Sequence, residues 1–141
     1  MCTGGDLYTG MRPLAGLELL LVEASTLVAM DSQDGLLEAG ARSVEIVNSP
    51  ERALQRLRQR PVDAAIVDVD LECDDAVRIA EAIVATGVPL VVASSYSVTS
   101  PLPATLAAVP LVPKPYLLHD LIAALADVLA RQTVRRSHQA R

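Results

Sequence analysis

The run Ala64-Ala65-Ile66-Val67-Asp68-Val69-Asp70-Leu71 is almost wholly apolar until it reaches Asp68. A carboxylate set at the end of a buried strand is costly unless something uses it. Three other apolar runs end in the same manner. Leu17-Glu18-Leu19-Leu20-Leu21-Val22 reaches Glu23, Val88-Pro89-Leu90-Val91-Val92-Ala93 reaches Ser94-Ser95, and Pro110-Leu111-Val112-Pro113 reaches Lys114-Pro115. Four strands therefore deliver Glu, Asp, Ser and Lys at their carboxyl ends. In an open parallel sheet flanked by helices, that edge is where ligands and chemistry sit. The composition agrees: 51% of residues are hydrophobic, with no Trp or Phe and three Tyr, so the core is aliphatic. Parallel strands covered on both faces read this way.

At 141 residues the chain fits one domain with its own core. A net charge of −5 gives no general attraction to phosphate backbones or anionic membranes, so nucleic-acid binding is not expected. The one basic cluster, Arg131, Arg135, Arg136 and Arg141, reads as a solvated tail. No apolar run approaches the roughly 18 to 20 residues that cross a bilayer, and the N-terminus lacks a signal pattern. A cytoplasmic protein without membrane contact is expected. Cys2 and Cys73 are too few and too poorly placed for a disulfide framework or a metal site.

Residues 1–13 read as a flexible leader, 14–131 as the ordered domain and 132–141 as a flexible basic tail. A helix over 25–39 ends at Gly40, with Val28, Leu36 and Ala39 on one face; Ser32 and Gly35 share that face, which predicts close packing or local irregularity. A short strand at 44–47 precedes Ser49-Pro50, an N-cap with Pro at the first helical position, and a helix to residue 60 with Ala53, Leu54 and Leu57 inward. The third strand is 63–69. A helix over 74–86 opens on two acids and closes at Gly87, and strand four follows at 88–93. Pro101 and Pro103 leave room only for a short turn from about residue 104. After a brief strand at 111–113, the helix 117–131 carries the stripe Leu118, Leu121, Ile122, Leu125, Val128 and Leu129. The order is five βα units: α/β, a five-stranded parallel sheet with helices on both faces and a short or irregular fourth helix.

A dinucleotide site requires a Gly-rich turn after the first strand, where Glu23-Ala24-Ser25-Thr26 has no glycine. A P-loop pattern is absent, and Ser94-Ser95 lacks the Gly-x-Ser-x-Gly elbow of a serine hydrolase. No small-molecule enzyme motif remains. Phosphoryl transfer onto a carboxylate does fit. It requires an exposed Asp oxygen as nucleophile, cations for the incoming charge and a hydroxyl or amine on the far side.

Leu21-Val22-Glu23, Ile66-Val67-Asp68-Val69-Asp70-Leu71, Val92-Ala93-Ser94 and Val112-Pro113-Lys114-Pro115-Tyr116, in that order, resemble the receiver domain of two-component response regulators. The resemblance covers residues 14–130 and implies a flavodoxin-like (βα)5 fold in a bacterial phosphorelay protein, not an enzyme. It implies that Asp68 is the phosphoacceptor, that Lys114 pairs with the phosphoryl group, and that Ser94 is the hydroxyl that moves toward it. It further implies a Mg²⁺ site from Glu23, Asp68 and the Asp70 position, and a proline, Pro115, that follows the lysine, usually through a cis bond.

Two departures qualify the resemblance. Receivers place two acids in succession after the first strand, and here the pair is Glu23-Ala24. Losing a carboxylate ligand weakens Mg²⁺ binding; the Asp70 side chain reads either as a substitute ligand or, more plainly, as a solvated loop acid. Leu111 stands where an aromatic often precedes the lysine, leaving Tyr96 as the nearby ring. Residues 132–141 are too few to form an output domain. The leading expectation is a stand-alone receiver that takes phosphate from a histidine kinase or phosphotransfer protein. It would signal to a downstream protein through the last strand, the last helix and the short fourth helix, with homodimerisation left open. The alternative is a pseudo-receiver, a protein-interaction module of the same fold without phosphorylation, favoured by Ala24.

Overall fold

The computed structural model describes residues 14–69, 74–94 and 103–139. Five strands, β1 (Glu18–Val22), β2 (Ser43–Val47), β3 (Ala64–Asp68), β4 (Leu90–Ser94) and β5 (Leu111–Pro113), alternate with helices α1 (Thr26–Glu38), α2 (Pro50–Gln59), α3 (Asp74–Ala85), α4 (Ala104–Ala107) and α5 (Leu118–Gln139). All strand pairs are parallel, in the order β2-β1-β3-β4-β5. This is the five-stranded parallel sheet with helices on both faces that the apolar runs predict, in the flavodoxin-like strand order that the resemblance implies.

Alternation along the strands divides the core in two. Leu19, Leu21, Ala64, Ile66 and Val91 face α1 and α5, and pack with Ala29, Leu36, Leu121 and Leu125. Leu20, Val22, Ala65, Val67, Leu90 and Val92 face α2, α3 and α4, and pack with Ala53, Leu57, Ala80, Ile83 and Leu106. Each fully buried Leu or Ile contributes about 1.5–3 kcal/mol, so these two aliphatic layers fix the strands' register, with the partly buried Tyr116 packed against the first of them.

Local chemistry sets the helix ends. Ser25 and Ser49 accept hydrogen bonds from Val28 N and Arg52 N, and Pro50 occupies the first turn of α2. Gly40 and Gly87 take positive φ just after α1 and α3, where a side chain would be strained. Some expectations need correction. Ala29, not Val28, joins Ser32, Gly35 and Leu36 on the buried face of α1, while Val28 is 38% exposed. The last helix does not stop at residue 131 but continues to Gln139, through most of the stretch expected to be a tail. The leader, Cys2, Asp70, Cys73 and Tyr96 lie outside the described residues. Among the described residues no helix is long and apolar enough to cross a membrane.

Candidate functional site

Strand order reverses about β1, which leads to β2 on one side and has β3 on the other. In sheets of this kind ligands bind at the carboxyl ends of the strands on either side of such a reversal. Glu23 and Asp68 occupy those two ends. Val22 pairs with Val67, so Glu23 and Asp68 each fall one residue beyond the last β1–β3 partners.

Lys114 joins them. Its ammonium donates to Glu23 Oε1 at 2.8 Å and to Asp68 Oδ2 at 2.9 Å. The lysine comes from the loop after β5, and its backbone N–H donates to Ser94 O at 2.8 Å, which ties that loop to the end of β4. Ser94 is buried and in register with Pro113. The Lys114-Pro115 peptide bond is cis. The structure therefore brings Glu23, Asp68, Ser94 and Lys114 to one edge of the sheet, whereas Asp70 lies outside the described residues.

The two carboxylates differ. Glu23 is 4% exposed, and both its oxygens are occupied, Oε1 by Lys114 and Oε2 by the Ser25 N–H at 3.0 Å. Burial alone would raise its pKa, but the Lys114 hydrogen bond and charge and the Ser25 N–H outweigh that and hold Glu23 below the ordinary carboxylate range. Asp68 keeps 28% side-chain exposure. Burial, with the Glu23 charge added, outweighs the help of Lys114 and holds Asp68 above the ordinary range. The pair shares one cation, so the two carboxylates titrate together rather than independently. For Lys114, burial is outweighed by its two carboxylate partners and its pKa is raised.

Mg²⁺ takes near-octahedral oxygen coordination. Here both Glu23 oxygens and one Asp68 oxygen are already hydrogen-bonded, and Ala24 supplies none. Among the described residues no three His, Cys, Asp or Glu side chains come together as a metal site. As arranged, this donor set does not fit the ion.

A second polar contact, behind the site, escaped the sequence reading. The Tyr116 hydroxyl meets Ser32 Oγ at 2.7 Å, with Ser32 5% exposed on α1. Burial raises the tyrosine's pKa, and the charges of Glu23, Lys114 and Asp68 reach it. Tyr116 is thus a ring beside the site, where the sequence suggests Tyr96 alone; Tyr96 lies outside the described residues. The signal was available in the misplaced Ser32 on the inward face of α1.

The fold has many solved counterparts. SdrG from Pseudomonas melonis Fr1, solved in its BeF3-activated conformation, is 32% identical to this chain over 82% of it and 98% of SdrG, with a TM-score of 0.66. A CheY-like response regulator receiver domain protein from Methanospirillum hungatei JF-1 is 19% identical over 86% of this chain and 99% of that one, with a TM-score of 0.72. This chain has the response-regulator receiver fold. The anti-anti-sigma factor PhyR from Bartonella quintana shares it at 16% identity and a TM-score of 0.68; 94% of this receiver is covered but only 55% of PhyR. No protein-family model and no curated protein sequence matches the receiver.

Proposed function

We propose that this receiver is a signalling module that accepts a phosphoryl group on Asp68 from a histidine kinase or phosphotransfer protein and passes the signal on by protein contact. The observation that carries the reading is the Lys114 ammonium at 2.9 Å from Asp68 Oδ2, at the sheet's reversal point. A free carboxylate oxygen of Asp68 attacks phosphorus, a P–O bond forms, and the P–N bond to the donor imidazole breaks, the imidazole nitrogen keeping the electron pair and taking a proton. Lys114 offsets charge on the transferred oxygens, and the Ser94 hydroxyl hydrogen-bonds one of them. Mg²⁺ binding is weak. Leu111 and Leu117, exposed on and beside β5, supply apolar surface for a downstream protein. The protein works in the cytoplasm.

Ala24 and the Lys114 bridge favour a second reading, a pseudo-receiver that binds partners without phosphorylation. Incubation with acetyl phosphate and Mg²⁺ followed by intact mass measurement separates the two. The first reading expects one added phosphoryl mass in the wild type and none in Asp68→Asn, because an amide forms no acyl phosphate. No gain in either protein would leave only the second.

A further inference from the structure

Helix α1 supports the site twice. At its start the Ser25 N–H holds Glu23 Oε2, and midway along it Ser32, buried in the face that meets the sheet, holds the Tyr116 hydroxyl. Tyr116 lies two residues beyond Lys114 in the link between Pro113, which ends β5, and Leu118, which opens α5. That short link is fixed at one end by Lys114 N on Ser94 O and at the other by Leu118, whose side chain packs on Gly35 of α1. Between these anchors, and among the described residues, one side-chain hydrogen bond fastens residues 115–117 to the body of the domain, the pair Tyr116–Ser32.

We propose that Tyr116 is a positioning residue: its hydrogen bond to Ser32 sets the link that carries Lys114 against α1 and so places the ammonium between Glu23 and Asp68. Its consequence for phosphoryl transfer rests on the phosphoacceptor reading above; the positioning itself does not. Without the hydroxyl pair, packing alone retains the ring, a buried Ser32 Oγ loses its partner, and arrangements with Lys114 away from the carboxylates gain population. A hydrogen bond of ordinary net strength, about 1 kcal/mol, biases such an equilibrium about fivefold. A purely structural tyrosine would instead lower overall stability and leave the ammonium where it is.

Lys114 is the chain's only lysine, which makes its placement directly readable. The experiment measures the rate at which acetic acid N-hydroxysuccinimide ester acylates Lys114, with peptide mass mapping to separate it from the α-amino group. The proteins are wild type, Tyr116→Phe, Ser32→Ala, the double variant, and Ile83→Val, a core change on the opposite sheet face that lowers stability without touching the link. Each single variant is expected to raise the rate about fivefold, the double no further, since both break one bond, and Ile83→Val not at all. Unchanged rates in the two single variants would overturn the proposal. So would a rise in Tyr116→Phe with none in Ser32→Ala, because the phenol would then act without α1, and so would an equal rise in Ile83→Val. If the rates change as expected while acetyl phosphate adds no mass to any of the proteins, the positioning role stands and the phosphoacceptor reading falls.

Discussion

Leu118 fills the hollow over Gly35, so α1 and the start of α5 meet where α1 has no side chain. A helical Ala is favoured over Gly by about 1 kcal/mol. A Cβ at residue 35, however, would overlap Leu118 Cδ2 and come within 2.9 Å of Cδ1 and 3.1 Å of Cγ. Swinging the terminal methyls relieves the first two contacts but not the last. Gly35→Ala should therefore destabilise the wild type and stabilise Leu118→Ala by about 1 kcal/mol. Urea denaturation of the four proteins reads the sign in each background, and the same sign in both would refute the packing account.

Neutralising the two acids of the site should act in opposite directions. Asp68 is held above its ordinary pKa, so its charge is a cost to the folded state; Glu23 is held below, so its charge is a benefit. Asp68→Asn should raise the melting temperature at pH 7 by about 3 °C, and Glu23→Gln should lower it by about as much. A fall in both would mean that Asp68 is a structural partner of Lys114 rather than a functional acid tolerated at a cost.

The same shifts set a pH window. The cost of ionised Asp68 is fully present above its raised folded pKa and fades as pH falls through that value toward the unfolded 3.8. The contribution of Glu23 is present above the unfolded 4.5 and is lost only as pH falls through its lowered folded value. That of Lys114 is complete below 10.5 and is lost as pH rises past its raised value. The melting advantage of Asp68→Asn should accordingly shrink from pH 7 to pH 4. Thermal scans across that range that show a constant advantage would assign it to something other than the charge.

The order of elements was legible because each strand is a short aliphatic run bounded by Gly, Pro or a polar residue, and the strand-end positions of Glu23, Asp68, Ser94 and Lys114 follow from those runs alone. What was not legible depends on contacts across long separations. Ser32 and Gly35 read as defects in an amphipathic helix because their reasons, the Tyr116 hydroxyl and the Leu118 side chain, lie more than 80 residues away. The end of α5 was placed too early because the loss of apolar spacing after Leu129 resembles a helix stop, although a run of Arg, Gln and Thr without Gly or Pro continues a helix at little cost. The inward position at the first turn of α1 belongs to Ala29 rather than Val28, because adjacent apolar residues there fit the spacing almost equally well.

The exposed Ala24 beside Glu23 gives the last prediction. In the wild type a single ammonium serves two carboxylates and a divalent ion finds few uncommitted oxygens. Ala24→Asp adds a carboxylate at this edge. Without metal, the third negative charge should lower the melting temperature, since Lys114 is already shared and like charges in a part-buried site repel. With Mg²⁺ the order should reverse, because an ion that binds only the folded state stabilises it by about 2.7 kcal/mol when present at 100 times its dissociation constant. Melting scans with and without millimolar Mg²⁺ should show a rise of several degrees in Ala24→Asp and a much smaller one in the wild type. An equal rise in both would mean that the wild-type site already binds the ion well and that the Lys114 bridge gives way to it.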